Sequence, residues 1–177
     1  MRKTLSLIVP LFALIACSKS GPLSTKDFQK AMDKLKDHYY SSVRVEYHLS
    51  RKITDNEDSY QTEDDRYSNY HYETSNKEWV FDEGDLKLGE AYLPQTLHGA
   101  DIEGMLDHRY NYEFYINPIK VLMKRDIEDE ESKGYRTFEW HYDKYGYLIY
   151  ILCFDYKESK AENYKAESTY TYNYYYQ

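Results

Sequence analysis

The sequence predicts an α+β domain: an N-terminal helix and short helices packed on one curved antiparallel β-sheet, an open half-barrel. Three observations lead there. A segment early in the chain repeats its apolar residues at helical spacing. Most of the chain beyond it alternates apolar and polar residues at period two. The last third is three such runs joined by short turns, the pattern of an antiparallel meander.

The helical segment is "STKDFQKAMDKLKDHYY". Ser24 can cap it, and Asp27 puts acidic charge in its first turn. Phe28, Ala31, Met32, Leu35 and Tyr39 form one apolar stripe suited to docking on a sheet. The period then changes. In "SVRVEYHLSRKI", Val43, Val45, Tyr47, Leu49 and Ile53 share one side, while Arg44, Glu46, His48, Ser50 and Lys52 share the wet side. An acidic turn is expected within "ITDNEDSYQTEDDRY". "YSNYHYE" and "KEWVFDE" are the next strands, with Trp79 and Phe81 on one face.

The middle is less regular. Gly84, Gly89, Pro94 and Gly99 mark "GDLKLGEAYLPQTLHG" as loop, and "ADIEGMLD" reads as a short helix. "RYNYEFYI" is a strand candidate. "NPIKVLMKR" reads as a capped helix start, with Asn117 as cap and Pro118 at the first helical position; a strand is the competing reading. The meander comes next. "YRTFEWHYD" alternates Phe138, Trp140 and Tyr142. "DKYGY" turns. "YLIYILCFDY" is apolar on both faces, as a central strand is. "YKAESTYTYNYYYQ" places Ala166, Ser168, Tyr170, Tyr172, Tyr174 and Tyr176 on one side.

Composition bounds the function. Aromatic residues make up 18% of the chain, 23 of its 177 residues being Tyr, so disorder is a poor description of most of it. Net charge is −8 with Lys and Arg scattered, and no basic stripe is available to neutralise a nucleic-acid backbone. The N-terminus is tripartite: Arg2 and Lys3, then an apolar run from Leu5 to Ile15, too short to span a bilayer comfortably and interrupted by Pro10. It ends on Leu14-Ile15-Ala16-Cys17. This resembles the lipobox of bacterial lipoproteins, in which the peptide is cut before the cysteine, the thiol carries a diacylglycerol and the new amino terminus is often acylated. The resemblance implies a signal peptide over 1–16, a lipidated Cys17 with a tether over 17–23, and a single domain over 24–177. It places that body outside the cytoplasm, anchored by lipid to the cell membrane or the outer membrane. Two or three acyl chains hold firmly, since each buried methylene contributes roughly 0.8 kcal/mol. Cys153 is then the one remaining thiol, within a β-like run, and is expected to be buried and inert.

One N-terminal helix, antiparallel strands and a late hairpin "YDKYGYLIYILCFDY" before a final long strand resemble the LolA/LppX-type lipoprotein group. That resemblance implies an incomplete barrel with helices against its open side, and a cleft for a lipid or a lipid-modified partner.

Catalytic and metal-binding patterns are sparse. His71 with Glu73 and His141 with Asp143 could each be half of a metal site, but solvated polar faces explain both. Asp55, Glu57 and Ser59 are spaced as in a calcium loop, but Tyr60 stands where the sharp turn needs Gly. No nucleophile is found with its base, so a binding protein is expected rather than an enzyme, without cofactor or metal. Trp79, Phe81, Trp140, Tyr170 and Tyr172 are the ligand-cleft candidates, apolar rings with Tyr hydroxyls at a half-wet rim. The ligand would be a lipid or another amphiphile. The alternative is a surface interaction protein contacting a protein or glycan, without a cavity.

Overall fold

The computed structural model describes residues 21–56, 58–89, 92–159 and 163–177. The expected leader, Cys17, most of the tether and Glu57 lie outside them. One helix, α1 (Thr25–Met32), precedes eight strands: β1 (Ser42–Asp55), β2 (Asp58–Glu73), β3 (Glu78–Gly84), β4 (Asn111–Ile116), β5 (Ile119–Glu128), β6 (Ser132–Tyr142), β7 (Leu148–Ser159) and β8 (Tyr164–Tyr176). They form one antiparallel sheet in the order β3-β2-β1-β8-β7-β6-β5-β4. Chain neighbours pair throughout, except that β8 zips onto β1 and β3 is not joined to β4.

The α+β class expected from the sequence is therefore corrected. The protein is an almost entirely β, open eight-stranded sheet, and α1 is the one helix among the described residues. The helix expected at "NPIKVLMKR" is β5. Asn117 and Pro118 are the two turn residues of a hairpin in which Ile116 faces Ile119. Ile119, Leu122 and Met123 fit a helical stripe, but Ile119, Val121 and Met123 fit a strand equally well, and pairing with β4 and β6 on both sides decides between them. The helix expected at "ADIEGMLD" is a turn, in which the Asp101 carboxylate accepts from the Gly104 amide at 3.1 Å. α1 itself stops at Met32, before the Leu35 and Tyr39 of its expected stripe. Beyond it, contacts with the β6–β7 turn hold the chain extended: His38 stacks on Tyr145 at 4.0 Å, its carbonyl accepts from the Tyr147 hydroxyl, and Tyr40 donates to Asp143. The acidic turn is confined near Asn56, whose φ is 54°, and β2 already begins at Asp58.

The strands predicted for the last third hold, as does the pairing of β6, β7 and β8 in sequence. One face of the sheet carries the core. Val43, Val45, Phe114, Val121, Phe138, Tyr142, Leu148, Ile151 and Tyr174 are all buried on it, beneath Phe28 and Met32 of α1. The helix is too short to cover such a sheet, and the irregular segment between β3 and β4 supplies most of the cover. Its backbone is pinned from below and beside. Ser68 donates to the Leu86 carbonyl at 2.5 Å, and Tyr174 donates to the Tyr92 carbonyl at 2.6 Å. Gln29 grips it with both ends of its amide, donating to the Ala100 carbonyl and accepting from the Ile102 amide. Tyr174 is thus a core ring whose hydroxyl satisfies a carbonyl of the irregular lid, which Phe could not do. Among the described residues no helix is long and apolar enough to cross a membrane.

Candidate functional site

Register places the inward-facing side chains in rows across the strands. One row runs Tyr47, Tyr172, Ile151, Trp140, Val121 and Phe114, from β1 through β8, β7, β6 and β5 to β4. The next runs Leu49, Tyr170, Cys153, Phe138, Met123 and Tyr112. Both are apolar. The third is not: it reads Thr62, Arg51, Ser168, Asp155, Arg136 and Arg125, from β2 to β5.

The irregular lid stops at the edge of this polar row. Tyr92 stacks on Tyr172 with ring centres 4.8 Å apart, and Tyr110 lies 6.0 Å from Phe138. Beyond them the inner face is open, as a cleft of about 350 Å³. Arg51 of β1 and Ile127 of β5 both line it. Those strands are four apart in the sheet, a span of about 19 Å, so the cleft runs across β1, β8, β7, β6 and β5. Tyr164, Tyr170, Ile127 and Ala166 supply apolar flanks, and Lys157 stands exposed at the rim.

Arg136 and Asp155 form a two-pronged pair, Nε to Oδ1 at 2.5 Å and Nη2 to Oδ2 at 2.6 Å. The carboxylate, foremost through these hydrogen bonds, holds the guanidinium above its ordinary range. Asp129 also faces the cleft, but its carboxylate accepts from the Ser132 amide and hydroxyl and from the Glu131 amide. Those hydrogen bonds lower its pKa. Arg51 differs. Its Nε is buried with no hydrogen-bond partner, and among the described residues no carboxylate forms an ion pair with it. An unpaired buried donor costs roughly 1–3 kcal/mol. Cys153, one row in, is buried and pushed up to about 12 by that burial, so it offers no thiolate here.

The five aromatic candidates do not meet in one place. Tyr170 lines the cleft. Tyr172 lies under the lid against Tyr92 and 5.0 Å from Tyr47. Trp140 borders a separate apolar void of about 90 Å³ beneath Ile102 and Leu106, its indole N–H buried without a partner. Trp79 lies at the opposite end of the sheet, in an aromatic cleft of about 330 Å³ with His38, Tyr39, Tyr72 and Tyr145. Phe81 is 49% exposed on edge strand β3. The half-sites for metal are likewise dispersed: His71 pairs with Asp82 at 2.6 Å rather than with Glu73, and His141 with Glu139 at 3.2 Å rather than with Asp143.

Arg51, Arg136 and Asp155 are absent from the site expected from sequence, yet their signal is in the alternation itself. Arg51 sits in phase between Leu49 and Ile53, Arg136 in phase with Phe138, and Asp155 in phase with Cys153. A charge on the dry side of a strand is the mark of a site or an ion pair. Gly134 belongs to the same floor. A Cβ there would lie 2.0 Å from the Tyr156 carbonyl oxygen, a backbone atom that cannot rotate aside. Gly134→Ala is expected to cost about 2 kcal/mol by overpacking, read as a shift of the urea midpoint at unchanged slope.

No protein-family model matches the chain, and no curated protein matches it. Among solved structures it is similar to the crystal structure of the ywiB protein from Bacillus subtilis, at 8% identity over 75% of this chain and 92% of that one, with a TM-score of 0.26. At that score the likeness bears no weight for function.

Proposed function

We propose that the protein is a membrane-anchored bacterial lipoprotein whose folded body binds a small amphiphilic ligand in the open end of its sheet. The lipobox-like ending at Cys17 supports the anchor. The observation that carries the binding reading is the incomplete lid: it stops at Tyr92 and Tyr110 and leaves about 350 Å³ of inner face bare, with ring surfaces beside a polar row. That volume is near the small end of ligand sites, roughly 300–1,000 Å³. Processing at Cys17 removes two of the 23 Lys and Arg, leaving 21 against 31 Asp and Glu, a net charge of −10. An acidic body of that kind is pushed off anionic headgroups, which keeps the cleft mouth in water.

One variant tests both parts. Cys17→Ser is expected to leave the membrane fraction and to lose the mass of its acyl groups; retention in the membrane with unchanged mass would refute the anchor. The released protein, purified without detergent, is expected in native mass spectrometry to carry a noncovalent small molecule that organic solvent strips away. Protein emerging bare from several gentle extractions would refute the binding reading.

A second reading has its own observation. Trp79, His38, Tyr39 and Tyr145 line a cleft at the other end of the sheet, where ring faces stand beside Asp37 and His98, whose Oδ1 and Nδ1 lie 3.1 Å apart. Rings with polar neighbours of this sort suit a protein or glycan partner. Loss of a cell-surface interaction in Trp79→Ala, with ligand occupancy of the first cleft unchanged, would favour it.

A further inference from the structure

We infer that the amphiphile taken by the open cleft is an acid, a carboxylate or phosphate monoester whose oxygens seat on Arg51. This rests on the amphiphile reading and adds the chemical class of the ligand's polar end.

Arginine is scarce in this chain and unevenly placed. There are seven, in a sequence whose net charge is −8. Four of them, Arg51, Arg66, Arg125 and Arg136, fall on the inner face of the sheet, the side that also carries the core. Arg66 is paired with Asp64 at 2.8 Å and Arg136 with Asp155. Among the described residues Arg51 and Arg125 have no carboxylate partner; the Arg125 guanidinium lies 6.0 Å over the Tyr110 ring at the margin of the lid. The charged groups that line the cleft, Arg51, Arg136 and Lys157 against Asp129 and Asp155, leave one net positive charge there in a protein of net charge −8.

The acids of the cleft do not cancel this for a ligand. Both oxygens of Asp155 are held by Arg136, and Asp129 is folded back onto the turn at Ser132. Neither offers a free carboxylate to a cationic ligand. Arg51 lines the cleft without a carboxylate partner among the described residues, and its buried Nε has no protein acceptor. Ser168 is its neighbour in the row and lines the same cleft, so the cleft also carries a hydroxyl. A planar guanidinium fork and a hydroxyl in one cleft are donors that carboxylate and phosphate oxygens accept from. Lys157 at the rim adds a second positive charge on the approach. Tyr164, Tyr170, Ile127 and Ala166 flank the row, so an acyl or alkyl chain attached to the anion meets apolar surface directly.

The experiment compares four probes with one tail: dodecanoate, dodecyl phosphate, dodecanol and dodecyltrimethylammonium. They are titrated below their micelle concentrations into the full-length Cys17→Ser protein, and binding is followed by calorimetry and native mass spectrometry. The two anions are expected to bind at least tenfold tighter than the alcohol, with affinity falling as salt rises, and the cation is expected to bind weakest. The ratio between the two anions separates a carboxylate site from a phosphate site. Arg51→Gln is expected to bring both anions to the alcohol's level, while Arg51→Lys keeps part of the preference. If the alcohol binds as tightly as the anions, or if Arg51→Gln leaves the preference intact, the acid assignment is overturned while the amphiphile reading stands. If none of the four binds, the amphiphile reading itself fails, and the acid assignment with it.

Discussion

Raising the pH past 10 is expected to unfold the domain cooperatively. Tyr142, Tyr174 and Tyr176 all have phenols held above their ordinary range, in each case chiefly by burial, and Tyr92 is pushed up to about 12 for the same reason. A folded-state pKa raised above the unfolded value means that the folded protein keeps a proton the unfolded chain gives up. The stabilisation is complete below pH 10 and is lost as pH climbs from there toward the folded values. Each phenol kept neutral in the fold weakens it by about 1.4 kcal/mol per pH unit in that window. Three such groups remove about 4 kcal/mol per unit, from a domain whose whole stability is of order 5–15 kcal/mol. Two of the hydroxyls also hold structure together, Tyr174 donating to Tyr92 and Tyr176 to the Leu148 carbonyl at 2.8 Å, and a phenolate can donate nothing. The checking measurement is paired: phenolate absorbance near 295 nm and far-ultraviolet circular dichroism, followed from pH 8 to 13. A late, steep rise in absorbance coinciding with loss of β signal is expected. Phenolate formation that finishes before any loss of structure would mean these rings are open to solvent.

Phe28→Ala is expected to be the most damaging single substitution in the core. Phe28 is 0% exposed and packs on Phe114 of edge strand β4 with ring centres 4.8 Å apart. It is the larger of two fully buried side chains, with Met32, by which α1 is docked. Removing a buried ring costs about 3–5 kcal/mol, the transfer of the lost atoms plus the cavity they leave. For a domain of this size that corresponds to a melting point lower by about 6–20 °C. The damage should spread along the helix, because Gln29, the next residue, is the one that grips the lid at Ala100 and Ile102. Lys30→Ala, on the solvent side of α1, is the control and should lie within about 0.5 kcal/mol of the parent. A thermal melt of the two variants side by side is sufficient, and equal melting points would refute the docking role given to Phe28.

Strands are legible in this sequence because alternation depends only on neighbours along the chain. The phase of Val43 to Ile53 reads out β1 and its dry side, and the phase of Ala166 to Tyr176 reads out β8. The helix count is not legible in the same way. Five residues at helical spacing from Phe28 to Tyr39 suggest a long helix, but packing of His38 and Tyr40 against the β6–β7 turn outweighs the local preference after Met32. The aromatic cleft expected from sequence shares the same weakness. Trp79, Trp140 and Tyr170 all lie in dry phases, but a phase says nothing about which part of the dry face the lid will cover.

The periods, the wet and dry sides of the strands, the final meander and the lipobox-like leader are thus set out in the chain alone, since each is written in residues close together. It took the folded sheet to fix that β8 joins β1, that the lid ends at Tyr92 and Tyr110, and that Arg51, Ser168, Asp155 and Arg136 stand side by side. The cause is register. A hydrogen-bonded ladder between strands remote in sequence is set by how the whole sheet packs onto its core, and a shift of one residue would have turned Arg51 to water.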